Sequence, residues 1–514
     1  MRETNLIPTL RMSCELVDVL CDIERAGIKI DTDALQKLKQ DFEKEQIELQ
    51  FKLRSMAQKA MGDTPINFDS PDDRSMLLYS RKVNDKNVWK ILFNLGSEIR
   101  GATRKQKMRT RMRYNEFTRA VSDNTTVIRK TVGSQCIKCD GKGRIPFIKK
   151  DGSPGKNMRI CKSCNGTGMT YVNTGHTAGF KVVPRNVKDI AAGGFKTDRE
   201  TLEQLRETVD GEAREFIEAY IRYSALRTYL SNFIEGILVN LDRHGFIHPE
   251  FMQCVTATGR LSSRSPNFQN MPRGSTFVIR KVVTSRWEGG SILEGDYGQL
   301  EFRVAGFLSK DLQIYEDVNN KVDVHSYTAD IIGCNRQDAK AHTFKPLYGG
   351  TTGTDAQQRY YQAFRNKYEM VTAWQEENQR EAVAHKRISL PSGREYHFPN
   401  AKWTQWGSCT DRTAICNYPV QGFATAELLP CALIKLKINL DKSKLNSVIC
   451  NRVHDSIVMD VYPGEEEQII NMMKDAMLSI PQEVKRRYGI DYDMPIEIEL
   501  KLGKNWLDTE LINM

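Results

Sequence analysis

Apolar residues are spaced differently in different parts of the chain. In residues 1–60 they recur at helical intervals, and Thr32 is placed to cap the second of two helices. Helical spacing returns at 198–241. The remainder, 246–514, alternates strand-like runs such as 291–294 with helical segments. The pattern predicts a mixed protein whose longer strands lie in its second half.

Length and composition indicate an ordinary folded protein with several subdomains. At 514 residues the chain exceeds the roughly 250–300 residues that one hydrophobic core supports. A content of 40% hydrophobic and 27% charged residues excludes a disordered or collagen-like chain. No apolar run reaches the length of a membrane span, and the N-terminus lacks the apolar core of a signal peptide. We therefore expect a cytoplasmic location and no membrane partner.

Charge indicates the class of binding partner, and cysteine content indicates the chemical state of the thiols. The 75 Lys and Arg residues against 65 Asp and Glu residues give a net charge of +10, which modestly favours a nucleic-acid partner. Twelve cysteines without a secretion signal favour free thiols or metal ligands over disulfides.

A basic run extends over residues 100–130. Arg109, Arg111 and Arg113 lie near its centre, and its only acidic residues are Glu116 and Asp123. Such a run contacts phosphate groups or forms a solvated helix face, and the run alone leaves both alternatives open.

A glycine-rich cysteine module follows the basic run. Cys136 and Cys139 precede Asp-Gly-Lys-Gly, and Cys161 and Cys164 precede Asn-Gly-Thr-Gly. Two such pairs supply four sulfurs for a closed tetrahedral zinc site, which predicts one structural Zn²⁺. The module resembles the CxxCxGxG repeat of DnaJ-type chaperones, but about 35 residues of likeness imply a zinc fold and not chaperone activity.

Two aspartates adjoin strand-like segments in the second half. Asp296 follows an apolar run, and Asp455 lies at the bend of a strand-turn-strand segment. Two carboxylates brought together can hold paired Mg²⁺ ions for phosphoryl transfer. Considered alone, either acid is better explained as a turn aspartate, so the assignment depends on the accompanying segments.

The segment between these aspartates combines cations with aromatic residues. Arg336, Lys340, Phe344 and Tyr348 recur every four residues, which predicts that they share one helix face. Two cations and two aromatic rings in line can hold a triphosphate and stack on its base. An amphipathic structural helix is the alternative.

In this order, the three segments resemble motifs A, B and C of the family A DNA polymerases, the family of bacterial DNA polymerase I and phage replicases. The segment 256–272 resembles the family's primer-template segment, 417–422 its template-side motif, and 503–506 its C-terminus. The resemblance extends over nearly the whole chain from Leu6.

The resemblance implies a role for each matching residue. Asp296 and Asp455 would be catalytic and would bind two Mg²⁺ ions, with the Tyr297 carbonyl as a further ligand. Seven residues would contact the incoming nucleotide, with Glu301 beside the ribose C2′: Gln299, Glu301, His325, Arg336, Lys340, Phe344 and Tyr348. Five would contact the primer terminus or minor groove: Arg260, Asn267, Gln269, Gln421 and His454. The reaction would be in-line attack of the primer 3′-oxygen on the α-phosphate.

Three positions depart from the family pattern. Ser456 follows Asp455 where the family usually has Glu. Pro346 lacks a backbone donor and is expected to kink the helix that carries Phe344 and Tyr348. Arg412 stands five residues before Asn417, where four is common.

We therefore predict an α+β right-hand polymerase with a small zinc-binding insertion. The expected domains are lead-in helices at the base of the palm and thumb (1–34), a thumb (35–245) with a basic, zinc-binding insertion at about 87–195, the first part of the palm (246–310), fingers (311–408) and the second part of the palm (409–514).

The expected partners are primer-template DNA and dNTPs. Because the insertion is basic, we favour direct DNA contact by it, including Arg109, Arg111 and Arg113, over recruitment of a processivity factor. Little sequence precedes the lead-in, so we expect no intrinsic exonuclease domain, a separate exonuclease protein as a further partner, and a phage origin. A single-subunit RNA polymerase and a non-catalytic zinc adaptor are the alternatives, and Glu301 disfavours the first.

Overall fold

The computed structural model describes residues 6–95, 112–148, 153–272, 274, 276–351 and 353–512. These residues form two compact units, one from 1–39 with 231–514 and the other from 40–230. The names palm, fingers and thumb for the expected ranges stay predictions.

The helices are α1 (Ile7–Ala26), α2 (Thr32–Met61), α3 (Pro71–Tyr79), α4 (Lys86–Leu92), α5 (Tyr114–Asn124), α6 (Arg199–Arg206), α7 (Gly211–Tyr229), α8 (Glu235–Asn240), α9 (Leu300–Ser309), α10 (Leu312–Asn319), α11 (Val324–Ile332), α12 (Arg336–Thr343), α13 (Asp355–Lys367), α14 (Glu369–His385), α15 (Arg412–Gly422), α16 (Leu429–Lys442), α17 (Glu466–Leu478) and α18 (Ile480–Tyr488). In the part of the chain that the structure describes, no helix is both long and apolar enough to cross a membrane.

The strands are β1 (Ile28–Lys29), β2 (Arg81–Val83), β3 (Thr125–Val127), β4 (Arg129–Gln135), β5 (Arg144–Ile148), β6 (Pro154–Ile160), β7 (Met169–Thr177), β8 (Ile190–Ala191), β9 (Gly194–Phe195), β10 (Phe246–Ile247), β11 (Glu250–Met252), β12 (Ser262–Arg264), β13 (Ser291–Tyr297), β14 (Arg387–Ser389), β15 (Glu395–His397), β16 (Val448–Val453), β17 (Ser456–Val461), β18 (Ile498–Gly503) and β19 (Thr509–Leu511). The predicted mixture of helices and strands is confirmed.

A five-stranded antiparallel sheet organises the first unit. Its order is β16-β17-β13-β18-β19, so β13 lies at the centre. β17 is buried along its whole length, which explains why its sequence is apolar except for Ser456 at its start and Asp460. The centre of the sheet therefore has little freedom to shift.

Gly295 lets a helix pack closely on the central strand. A Cβ at this position would lie 2.5 Å from Sδ of Met473 and 2.7 Å from Sδ of Met477, both on α17. A side chain here would have to displace the ends of both methionine side chains, because van der Waals contact needs about 3.5 Å or more. Glycine thus leaves room for these two side chains beside the strand directly before Asp296.

The second unit has its own apolar core. Large buried members include Trp89, Phe117 and Phe216. Two further hairpins, β4 with β7 and β5 with β6, carry the four module cysteines near their ends. Gly62, which follows α2, lies against the start of β4: a Cβ on Gly62 would be 2.2 Å from the Thr131 carbonyl oxygen. The backbone after α2 and that of the cysteine module are therefore in direct contact.

Candidate active site and candidate metal centre

The sheet brings the two predicted catalytic aspartates together. In the register of β13 and β17, Asp296 is directly opposite Ser456, the residue that follows Asp455. Val453 pairs with Ser456, so His454 and Asp455 form a two-residue turn between β16 and β17. His454 has a φ of 53°, a left-handed conformation suited to such a turn. Since opposite Cα atoms in an antiparallel pair are about 4.5–5.5 Å apart, both carboxylates lie at one end of the sheet.

Ser456 stands where the family usually has a glutamate after the second aspartate. It is fully buried, and its hydroxyl donates to the Val453 carbonyl at 2.9 Å. The hydroxyl therefore closes the hairpin. At this position the chain supplies no carboxylate beside Asp455.

Tyr297 is anchored away from the carboxylates. Its hydroxyl donates to the Met477 carbonyl oxygen at 2.9 Å, and burial raises its pKa well above the usual range. A neutral, buried phenol fixes the end of β13. Its backbone carbonyl remains the predicted metal ligand.

Other acids in the same strands have arginine partners. Asp460 accepts from Arg286 Nε at 2.7 Å, and Glu294 lies 3.3 Å from Arg280 Nη1. Asp455 lies close to two guanidiniums: burial lowers the pKa of Arg260 and Arg452, and the negative charge of Asp455 acts against this effect on both. Asp455 and Asp296 stay the predicted metal ligands.

Glu301 is held from two sides. It lies in the first turn of α9, where Arg260 Nη2 contacts Oε1 and the Tyr348 hydroxyl contacts Oε2. Burial raises the pKa of Glu301 to about 8, and the negative charge of Asp455 acts in the same direction. The predicted sugar-contacting residue is therefore part of a fixed trio.

α12 is shorter than the predicted helix face requires. It ends at Thr343, and Phe344 and Tyr348 lie in the turns that follow. Pro346 explains the end, because it cannot donate the backbone hydrogen bond that the helix needs. The expectation of one continuous face is thus wrong, whereas the expected interruption at Pro346 is confirmed.

The aromatic residues after α12 still come together. The ring centroids of Phe344 and Tyr348 are 6.5 Å apart, and that of His325 is 5.5 Å from Phe344. His325 Nδ1 lies 3.0 Å from Thr343 Oγ1. These contacts join α11 to the turn that carries Tyr348.

The two cations of α12 have different surroundings. Arg336 Nε lies 2.5 Å from Asp323 Oδ2, while Lys340 is exposed. Asp323 also caps α11 by accepting from the His325 N–H at 3.0 Å. Arg336 is therefore already oriented towards the start of α11.

The predicted DNA contacts differ in accessibility. Gln269 is buried, and its backbone N–H donates to Asn267 Oδ1 at 3.0 Å. Gln421 is half-buried on α15, and His454 is exposed in the turn before Asp455. Gln299, which is predicted to contact the nucleotide, precedes α9 with a φ of 51°.

The basic run is described only in part. Arg109 and Arg111 lie outside the described residues, and Arg113 is exposed at the start of α5. The contribution of the first two to DNA contact stays a prediction.

A buried ion pair beside the 256–263 segment was not expected from the sequence. Arg394 Nε lies 2.6 Å from Oε1 of the fully buried Glu427. A Cβ on Gly259 would lie 2.9 Å from Arg394 Nη1, and Tyr396 donates to the Thr258 carbonyl oxygen at 3.0 Å. The loop that presents Arg260 thus rests on this pair. A lone acid within the apolar run 423–436 is the signal that could have indicated it.

The four module cysteines form a compact cluster. All four are buried, with ligand atoms within 4.8 Å of one another. Sγ of Cys136 lies 3.9 Å from that of Cys161, and Cys139 and Cys164 are 3.6 Å apart. Tetrahedral zinc with Zn–S bonds of about 2.3 Å requires sulfur separations of about 3.8 Å. The donor set therefore fits one zinc ion.

Glycines let the two cysteine turns approach each other. A Cβ on Gly143 would lie 2.2 Å from the Gly166 carbonyl oxygen, and one on Gly168 equally close to that of Gly141. Burial acts to raise the pKa of Cys164, but N–H donation from the backbone, first from Gly168, lowers it, whereas burial and the contact with Cys164 raise the pKa of Cys139. The close approach of the two turns therefore favours a metal site, and the Gly168 N–H favours a thiolate at Cys164.

A solved structure shares this fold. The polymerase domain of Pol1 from M. smegmatis, in complex with DNA primer-template and dNTP, superimposes with a TM-score of 0.63 at 20% sequence identity, over 96% of this chain and 70% of that one. The predicted fold class, an α+β right-hand polymerase domain, is thereby confirmed.

Sequence comparison also identifies the family of the chain. The family model of DNA polymerase family A matches residues 178–508, more than half of the chain, and the protein belongs to this family. DNA polymerase I of Bacillus subtilis is 27% identical over 345 residues (62% of this chain, 37% of the relative), and that of Pseudomonas aeruginosa 30% over 340 residues (62% and 35%). The thermostable DNA polymerase I of Thermus filiformis is 30% identical over 340 residues (61% and 38%). The chain thus matches little more than a third of each relative's length.

Proposed function

We propose that this protein is a template-directed DNA polymerase that adds dNTPs to a primer 3′ end. The observation that carries the proposal is the meeting of Asp296 and Asp455 at one end of the central sheet, in a chain of this family. The arrangement around Glu301 places a fixed carboxyl and two aromatic rings in the same unit.

Divalent magnesium fits the donor set at the sheet end. Carboxylate and carbonyl oxygens are its preferred ligands, and Asp296, Asp455 and the Tyr297 carbonyl would hold it. Bound Mg²⁺ supplies activation of the attacking oxygen and charge neutralisation on the leaving one. The chain's contribution is to fix both carboxylates through sheet register and a tight turn.

The remaining residues position the nucleotide. Arg336 and Lys340 would bind phosphate oxygens, and Phe344 and Tyr348 would pack on the base and sugar. Because Arg260 and Tyr348 hold both oxygens of Glu301, its carboxyl cannot swing aside. A fixed carboxyl beside the ribose would exclude a 2′-hydroxyl.

Primer extension tests the proposal. The wild type should extend a primer with dNTPs, whereas Asp296→Asn and Asp455→Asn should reduce extension to background, because each removes a charged ligand without changing side-chain size. Asp441→Asn, at an exposed acid of α16, is the matched control and should extend normally. Near-wild-type extension by either active-site variant would refute the assignment.

A parallel reaction with rNTPs separates the alternatives. Efficient rNTP use would favour the RNA polymerase alternative, and no extension with either substrate would favour a non-catalytic adaptor.

We also propose that the four cysteines bind one structural zinc ion and that their hairpins contact DNA. Basic side chains are exposed on these hairpins and their turns: Lys138, Lys142, Arg144, Lys156, Arg159 and Lys162. Asp140 is the single acidic residue among the described residues of 129–177. This excess of positive charge complements a phosphate backbone.

The dependence of DNA affinity on salt tests this proposal. Replacing Lys142, Arg144 and Lys162 by Gln should lower the slope of log affinity against log salt by about 0.9 for each DNA phosphate that these side chains neutralise in the wild type. An unchanged slope would contradict DNA contact and favour a partner such as a processivity factor.

A further inference from the structure

A short hairpin in the first unit presents two tryptophans to solvent. Trp406 is 77% exposed and Trp403 is 46% exposed. The chain has six tryptophans, and Trp89 and Trp506 are buried. Burying a large aromatic side chain stabilises a fold, so folding alone gives no reason for this exposure. We call residues 402–410 the Trp hairpin.

The Trp hairpin is ordered by its own hydrogen bonds. The Thr410 N–H donates to the Lys402 carbonyl oxygen at 2.9 Å, and the Thr404 N–H donates to the Ser408 carbonyl oxygen at 2.8 Å. The hydroxyl oxygens of Thr404 and Ser408 lie 2.8 Å apart. The rings are thus carried on a defined backbone, which lowers the entropy that a ligand must remove.

Buried residues fix the hairpin to the core at both ends. Ala401 and Cys409 belong to the main apolar cluster of the first unit. Lys386 Nζ also donates to the Ala401 carbonyl oxygen at 2.7 Å. The hairpin therefore cannot move independently of the candidate active site's scaffold.

The hairpin also leads directly into the nucleotide site. α15 begins at Arg412, and a Cβ on Gly349 would lie 3.5 Å from Arg412 Cγ and 3.0 Å from Cys416 Sγ. Gly349 follows Tyr348. Arg412 is six positions after Trp406, and at about 3.3 Å per residue this limits their separation to about 20 Å. A few nucleotides of single strand span that distance.

We propose that the Trp hairpin binds unpaired bases of the template strand by stacking on Trp403 and Trp406. Stacking on aromatic rings suits single strands of any sequence, because every base has a π-face. Exposed Lys402 and half-buried Arg412 flank the rings and complement phosphate. Trp is also common in protein interfaces, but closeness to the Tyr348 turn favours nucleic acid.

This inference depends on the proposed polymerase function, and binding without catalysis can test it. The experiment uses three labelled primer-templates, which have no 5′ template overhang, an overhang of two nucleotides or an overhang of eight. Each is titrated with protein in the absence of metal and dNTP, and binding is measured by fluorescence anisotropy. Wild-type affinity should rise with overhang length, by about tenfold for each stacked base. The double variant Trp403→Ala, Trp406→Ala should lose this rise while binding the blunt duplex normally.

Two further variants control the experiment. Trp406→Phe should keep part of the rise, because a phenyl ring still stacks. Leu312→Ala, at a 76% exposed apolar residue of α10, should behave as the wild type.

Each outcome has a distinct meaning. An unchanged overhang effect in the double variant would overturn the inference, and so would an equal drop in affinity for the blunt duplex. If the wild type bound no primer-template at all, the proposed polymerase function would fail. If the wild type extended primers without any overhang effect, only the role of the Trp hairpin would fail.

Discussion

Removing two of the four clustered cysteines should unfold the cysteine module, residues 129–177, and leave the rest of the protein folded. The double variant Cys136→Ser, Cys161→Ser removes one thiolate from each turn of the cluster. Within the described residues, only Ile145 packs against the four buried cysteines, so the module has almost no apolar core. Two-stranded hairpins without such a core are marginally stable at best.

We therefore expect the proposed zinc ion to supply most of the module's stability. Structural zinc contributes on the order of 10 kcal/mol to such modules, far more than burying Ile145 could supply. The core of the second unit consists of other residues, such as Trp89 and Phe216, and the first unit has its own core. Both should survive the substitution.

Three measurements should agree. Bound zinc should fall from about one ion per chain to none, limited proteolysis should cut within residues 129–177, and single-nucleotide insertion on saturating primer-template should persist. Products made per binding event should become shorter if the module contacts DNA.

Cys254→Ser is the matched control, because Cys254 is exposed and distant in sequence from the cluster. It should retain zinc and protease resistance. Undiminished zinc content in the double variant, or a module equally resistant to protease after zinc loss, would refute the reasoning.

Further predictions concern the candidate active site and its support. Glu301→Ala should raise ribonucleotide incorporation relative to deoxyribonucleotide by about tenfold or more, measured by single-nucleotide competition, and an unchanged ratio would remove Glu301 from sugar selection. Phe344→Tyr should relax discrimination against dideoxynucleotides, as the family resemblance implies, and chain-termination efficiency at equal nucleotide ratios measures this. Glu427→Ala should lower the free energy of unfolding by about 3–5 kcal/mol, because it leaves Arg394 without its buried partner. Chemical denaturation measures the change, and Glu377→Ala at an exposed pair should cost less than about 1 kcal/mol.

Local features could be predicted from the sequence. Cysteine spacing and glycines predicted the four-sulfur cluster, because ligands close in sequence need only a tight turn to meet. Helical spacing predicted α1 and α2, and Pro346 predicted the interruption after α12, since proline acts on its own turn. The apolar runs before Asp296 and after Asp455 predicted strands, because this pattern too is read from residues adjacent in the sequence.

Contacts between residues distant in sequence could not be predicted in this way, because they depend on how the whole chain packs. Arg260 and Tyr348 are 41 and 47 residues from Glu301, and no periodicity along the chain encodes their contact. The register that sets Asp296 opposite Ser456 depends on sheet pairing between two segments far apart in sequence. Glu427, between α15 and α16, meets Arg394, between β14 and β15, only when these elements pack together. A sequence shows where a buried charge stands, but its partner is chosen by the geometry of the whole core, because burial makes an unpaired charge too costly to keep.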